Sequence, residues 1–147
     1  MKKKLLILVL SLVTIHFLYQ FFFNTVSLTF PFSKAENVEL IFYKKELSGG
    51  ADLKKIYKVP FTKKIKLNES EKKELFEILY KETCFVEFSA ACYEPRHALV
   101  FTKLKDTIAV IEICLECAGS RETEGIENLK MCDSRIKKLD DFFNTRK

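Results

Sequence analysis

The chain has 147 residues, enough for one folded domain with one accessory segment and too few for a full α/β barrel. It is 48% hydrophobic with 14 Phe and only 31% charged, which excludes disorder, and 4 Gly with 3 Pro exclude collagen-like repeats and linker arrays. The net charge of +5 owes three units to Lys2, Lys3 and Lys4; from Lys34 onward 22 basic residues are interspersed with 20 acidic ones, a net of +2, so no clustered basic face is expected and no nucleic-acid partner with it.

The N-terminal segment carries the first strong signal. Residues 5 to 33 contain no Asp, Glu, Lys or Arg, and Leu5 to Phe23 reads LLILVLSLVTIHFLYQFFF. As a helix, such a run covers about 28 Å, close to the hydrocarbon thickness of a bilayer. The sequence predicts a transmembrane anchor over 5–23, a basic cytoplasmic N-terminus over 1–4, a linker over 24–37 and an exported domain over 38–147, oriented by Lys2 to Lys4. The alternative is a signal segment cleaved near Ala35, after Ser33-Lys34-Ala35. His16 within the run is expected neutral, since the run holds no acid to pair with it. The expected location is therefore a cell membrane, single-pass, with the C-terminal body outside the cytoplasm.

Further along, Val38 to Tyr43 (VELIFY) predicts a strand, and Ser48-Gly49-Gly50 a turn. Tyr57 to Leu67 predicts two extended stretches broken at Pro60. Asn68 and Glu71 have capping-box spacing ahead of Leu75, Phe76, Ile78 and Leu79, which predicts a helix with acids in its first turn. Cys84 to Phe88, Ala98 to Thr102 and Ile108 to Leu115 read as strands, the last two joined by a short polar hairpin over Lys103 to Asp106. Alternation puts Ile111, Ile113 and Leu115 on one face of the last strand and Glu112 and Cys114 on the other. Ala118 to Glu124 reads as a loop, and Asp133 to Asn144, with Ile136, Leu139 and Phe143, as an amphipathic helix. The expected fold class is α+β: an N-terminal transmembrane helix, then a small antiparallel sheet with two helices packed on one face.

Five cysteines, Cys84, Cys92, Cys114, Cys117 and Cys132, need an explanation, because a body of this size buries a core without cross-links. Outside the cytoplasm, structural disulfides are the first reading, two bridges and one thiol left over, with the pairing undetermined by spacing. Thiol–disulfide exchange at Cys114-Leu115-Glu116-Cys117 is the second, although this C-x-x-C ends a strand and runs into Ala118-Gly119-Ser120 instead of opening a helix. A structural zinc site on Cys92, Cys114, Cys117 and Cys132, with His97 as a substitute ligand, is the third. Neither a metal nor another cofactor is otherwise called for.

Cys92 to His97 (CYEPRH) interrupts the strands with a polar insertion, in which Glu94, Arg96 and His97 form a candidate polar site. Its plainer reading is a loop set by Pro95, with Arg96 paired to Glu94 or another nearby acid. The sequence contains no G-x-G-x-x-G, P-loop, H-E-x-x-H or G-x-S-x-G, so an enzyme is not the leading expectation and no residue is assigned a catalytic role.

The elements CYEPRHALVF, IAVIEICLEC and Cys132 ahead of IKKLDDFF resemble a family of small uncharacterised bacterial envelope proteins and lipoproteins with CY-x-PR and IEIC-x-EC elements, over roughly residues 67 to 143. The resemblance implies export and a shared cysteine set of Cys92, Cys114, Cys117 and Cys132. Cys84 falls outside that set, which makes it the expected unpaired thiol. The combined expectation is a membrane-anchored envelope protein with a non-catalytic binding or structural role, whose ligand or protein partner the sequence does not name.

Overall fold

The computed structural model describes residues 29–85 and 92–146. Five strands form one antiparallel sheet in the order β2-β1-β3-β4-β5: β1 Asn37–Tyr43, β2 Phe61–Lys66, β3 His97–Lys103, β4 Asp106–Cys114 and β5 Gly119–Glu122. The period of two along each strand sorts the core into two layers. Val38, Leu40 and Phe42 of β1, Leu99 and Phe101 of β3, and Ala109, Ile111 and Ile113 of β4 face one way. Ile41, Tyr43, Ala98, Val100 and Val110 face the other. Both faces are covered, which is why the central strands read as nearly continuous apolar runs rather than as clean alternation.

Two helices cover the first face. Helix α1, Glu69–Phe76, starts at a capping box: Asn68 accepts the Glu71 amide at 2.9 Å, and the Glu71 carboxylate accepts the Asn68 amide at 2.8 Å. It continues as a π turn, Glu77–Lys81, so that Leu75, Phe76, Ile78 and Leu79 are all buried. Helix α2, Asp133–Asn144, buries Leu139, Phe142 and Phe143. Two arginines fix the helices antiparallel. Arg135, near the start of α2, donates to the Ile78 carbonyl at 3.1 Å and the Glu82 carbonyl at 2.8 Å, occupying acceptors at the end of the π turn. Arg146, just past the end of α2, pairs with Glu71 at 3.0 Å and Glu74 at 3.1 Å, with its guanidinium 3.6 Å from the Phe142 ring centroid.

The second face is covered by the connection between β1 and β2. Its 3₁₀ segment, Leu53–Lys58, drives Ile56 into the layer formed by Ile41, Ala98, Val100 and Val110.

Several sequence expectations are corrected here. The expected fold class is corrected in its transmembrane part: the described residues form an antiparallel sheet with helices, and no helix among them is long and apolar enough to cross a membrane as the single-pass anchor was expected to do. The run 5–23 and His16 lie outside the described residues. The stretch before Pro60 is the 3₁₀ segment and not a strand, because Ile56 must turn inward to fill the second layer. Of the strand expected over 84–88, Cys84 and Phe85 are irregular and 86–88 lie outside the described residues. The loop expected over 118–124 contains β5, whose polar sequence GSRE is tolerated because it pairs through its backbone at the sheet edge. Within the expected linker, Phe32 is buried with its ring 4.9 Å from that of Phe101 and 5.5 Å from that of Phe76.

The β3–β4 hairpin turns through Leu104 and Lys105, at φ 49° and 75°, between paired Lys103 and Asp106. A two-residue turn of this kind requires left-handed backbone at both positions, where Asn and Gly are at ease and Leu and Lys are not. Leu104→Asn combined with Lys105→Gly is therefore expected to stabilise the protein by about 1 kcal/mol. Urea unfolding of the double variant beside the parent checks it.

Candidate functional site

The strand ends at one edge of the barrel-free sheet converge on an open cleft of about 860 Å³. Phe42 and Tyr43 end β1, Thr62 and Lys63 lie near the start of β2, Arg96 precedes and His97 begins β3, Leu115 and Glu116 follow β4, and Asp133, Ile136, Lys137 and Asp140 come from the first turns of α2. Antiparallel register places Phe42 opposite His97 and His97 opposite Ile113. The His97 ring stacks on Phe143 at 4.5 Å and meets Phe42 edge-on at 5.2 Å, so it belongs to the buried floor and not to an exposed loop. Arg96 lies at the rim, held by Glu46 and, at 3.3 Å, by Glu116. Of the candidate trio, Arg96 and His97 share the cleft, whereas Glu94 is not among its lining residues. The acids that hold Arg96 come from the β1–β2 connection and from the C-x-x-C turn, positions that spacing alone does not bring near.

No cysteine lines this cleft, but each disulfide adjoins residues of the chain that do. Cys114–Cys117 closes the turn between β4 and β5, the turn that supplies Leu115 and Glu116, and Cys114 is paired with Gly119 across it. Cys84–Cys132 fixes the residue that immediately precedes Asp133 and α2. Cys92 is exposed and free. The expectation of Cys84 as the unpaired thiol is thus corrected: Cys84 meets Cys132 because the π turn delivers its end to the start of α2, where Arg135 ties the two together. The four-thiolate zinc site is corrected as well, since Cys114, Cys117 and Cys132 are consumed in two separate bridges and no metal-holding group of His, Cys, Asp or Glu occurs among the described residues.

The Cys114–Cys117 bridge is enclosed by backbone. The Glu94 amide donates to Cys117 Sγ at 3.2 Å and the Cys117 amide to Cys114 Sγ at 3.2 Å. Ala118 next to it sits at φ 47°. Neither sulfur lies at a helix N-terminus, the position that lowers a thiol pKa in redox C-x-x-C proteins.

A second polar constellation escaped the sequence analysis. The carboxylate of Glu112, fully buried on the second face, accepts the Tyr43 hydroxyl at 2.8 Å and the Ala51 amide at 2.9 Å through Oε1. Its Oε2 faces the Arg121 guanidinium at 3.8 Å. Arg121 in turn donates to the Gly49 carbonyl at 2.6 Å and the Ala51 carbonyl at 2.9 Å, and the Tyr93 hydroxyl donates to the Glu112 carbonyl at 3.1 Å. Gly50 is required here: it lies at φ 80°, and a Cβ on it would fall 2.3 Å from Glu112 Oε2. The available signal was one acid in the middle of the apolar run IAVIEIC.

Comparison with protein-family models, with curated proteins and with solved structures finds no match to this chain.

Two predictions follow from this geometry. In the chain-entropy picture Cys84–Cys132, spanning 48 residues, contributes about 4 kcal/mol, and Cys114–Cys117, spanning 3, about 2 kcal/mol. Paired Cys→Ser variants of each bridge should lose stability in that order, read by urea unfolding. Burial, reinforced by Glu112, pushes the Tyr43 and Tyr93 phenols above the usual tyrosine range; burial and Glu39 push Tyr57 up to about 12, and burial with Glu122 and Glu127 push Tyr80 up to about 12. Folded-state values above the unfolded one favour the neutral phenol, so their stabilisation is whole below about pH 10 and is lost as pH climbs through that value toward 12. Phenolate absorbance of these four should therefore rise together with loss of circular dichroism, and titration near pH 10 in a folded protein by more than one tyrosine, the number that Tyr19 outside the described residues accounts for, would contradict it.

Proposed function

We propose that this protein is a non-catalytic binding module, stapled by two disulfides, that works outside the reducing cytoplasm. The observation that carries the proposal is that each bridge adjoins, in the chain, residues that line one cleft. A C-x-x-C clip holds Leu115 and Glu116, and the second bridge holds the start of α2. Rigid rims lower the ordering cost of binding, which favours a recognition role for the cleft. Its floor is apolar and aromatic, Phe42, His97, Leu115 and Ile136, and its rim carries both signs of charge in Arg96, Lys63 and Lys137 against Glu116, Asp133 and Asp140. Such a lining suits a short peptide segment that presents an apolar side chain flanked by polar groups. Persistent bridges imply an oxidising compartment.

The sulfurs support a structural role for the cysteines. Cys114 is 0% exposed, and Cys117 and Cys132 are each 5% exposed, which shields them from an external thiol.

A second reading rests on Cys92. This exposed thiol stands two residues from Glu94, whose amide touches Cys117 Sγ. In that reading the Cys92 thiolate attacks Cys117, a Cys92–Cys117 bond forms as the Cys114–Cys117 bond breaks, and Cys114 takes up the proton that Cys92 gave to solvent.

The test is a panel of immobilised random octapeptides probed with the full oxidised chain. Ile136→Arg places charge on the cleft floor and is expected to weaken the bound peptides at least about tenfold, at unchanged circular dichroism. Equal binding by that variant, or a panel with no binders, would remove the cleft from the function. Alkylation of the same native sample under denaturing, non-reducing conditions separates the two cysteine readings: an adduct on Cys92 alone supports staples, and an adduct on Cys114 supports exchange.

A further inference from the structure

We infer that the outer edge of β2 binds an acidic, extended peptide strand by backbone pairing, with the end of that strand entering the cleft; the inference rests on the binding-module reading. Three observations meet at this edge.

The first is an open ladder. β2 is the last strand on its side of the sheet, and among the described residues no backbone hydrogen bond reaches it from outside. Every residue of β2 except Ile65 is exposed. Alternate N–H and C=O groups along such an edge are a template for a further strand.

The second is charge. Between residues 44 and 66 there are eight lysines, Lys44, Lys45, Lys54, Lys55, Lys58, Lys63, Lys64 and Lys66, against Glu46 and Asp52 alone. The rest of the body from residue 34 holds 14 basic and 18 acidic residues, so the sign reverses outside this segment, which runs from the end of β1 across the second face to Arg121 and back to β2. Asp52 pairs with Lys55 and Glu39 with Lys64, while Glu46 is engaged with Arg96. Edge lysines discourage aggregation; β2 itself carries Lys63, Lys64 and Lys66 and no acid, so a strand that pairs there meets positive charge which an acidic partner answers. Residues 1–28 do not supply it, since they contain three lysines and no acid.

The third is the pattern of the two faces. Lys64 and Lys66 pair with Ile41 and Glu39 and so lie on the second face, beside Tyr57, over whose ring Lys64 Nζ stands at 5.4 Å. Ile65 pairs with Leu40 and packs on the first-face core. A strand added to β2 therefore meets Lys64 and Lys66 on the second face and, on the first, Ile65 beside Lys63, whose Nζ donates to the Arg146 carbonyl at 2.7 Å, which selects alternating acidic and β-branched residues. Tyr57 and Phe61, each 42% exposed, add aromatic surface at the same edge. Thr62 and Lys63 belong to both β2 and the cleft lining, so the edge leads into the cleft.

The probe is a fluorescein-labelled, end-blocked peptide of about eight residues alternating Glu and Val, a usual strand length. Its anisotropy is titrated with the full oxidised chain. Binding is expected, weakened about tenfold or more by Lys64→Glu with Lys66→Glu, and weakened also by raising the salt from about 0.05 M to about 0.5 M. The same peptide methylated on alternate backbone nitrogens keeps its charge and loses its donors, and is expected to lose binding. Equal binding of the methylated peptide would overturn strand addition. No binding would leave the lysines as edge protection, and tighter binding of oligothymidylate or of phosphatidylglycerol vesicles would replace the peptide by another polyanion; each result overturns the inference. Self-association that the peptide does not displace would assign the edge to a second copy and overturn it too. Peptide loss in Ile136→Arg without loss in the lysine variant would retain the cleft reading and reject this one.

Discussion

The buried carboxylate of Glu112 organises one whole side of this protein. Taking an ion out of water costs several kcal/mol unless its lone pairs and charge are answered, and here the answers come from three separate parts of the chain. Tyr43 ends β1, the Ala51 amide belongs to the β1–β2 connection, and Arg121 lies on β5. Because a carboxylate without those partners would be untenable in the sheet, the connection is obliged to return across the second face, and Ile56 is carried into the core as it does so. The apolar layer on that side is thin, with Ile41, Ala98, Val100 and Val110 from the strands, so the polar tie specifies what burial alone would leave loosely defined.

That tie also places the strap's lysines. Lys54, Lys55 and Lys58 sit on the 3₁₀ segment, whose inward residue is Ile56 and whose remaining charged side chains face water. Lys64 and Lys66 of β2 emerge on the same face through the antiparallel register with β1. The basic edge is thus a consequence of how the second face is closed. On the first face, Arg135 and Arg146 do the corresponding work, pinning opposite ends of the helix pair so that the start of α2 meets the π turn and Cys132 meets Cys84.

Local signals were legible where a short spacing controls the outcome. The Asn68 and Glu71 capping box, the range of α2, and the opposition of Glu112 to Ile111 and Ile113 all depend on contacts within a turn or on strand alternation. Long-range partners were not legible. Cys84 and Cys132 are 48 residues apart, Tyr43 and Glu112 are 69 apart, and Arg96 finds Glu46 at 50, none of them fixed by local pattern. β5 was missed because an edge strand held by backbone pairing needs little apolar character. The apolar run at 5–23, which carried the membrane reading, lies outside the described residues, and Phe32 shows that the chain already packs into the core before β1 begins.

Charge was hidden by averaging. A body-wide sum of 22 basic against 20 acidic residues implies a bland surface, yet electrostatic attraction falls away over about 10 Å at moderate salt, so what a ligand meets is the local sum. Folding segregates the signs: the 44–66 segment forms an edge strand and the strap beside it, while the acids of α1 line up toward Arg146 and those of α2 lie across the cleft. An edge strand is the one place in a sheet where backbone donors and acceptors remain available, and here it carries Lys63, Lys64 and Lys66 with no acid among its residues. Because Thr62 and Lys63 join that edge to a cleft held by two disulfides, backbone pairing, charge and an apolar pocket act along one continuous line, the combination by which an extended peptide is distinguished from a diffuse polyanion.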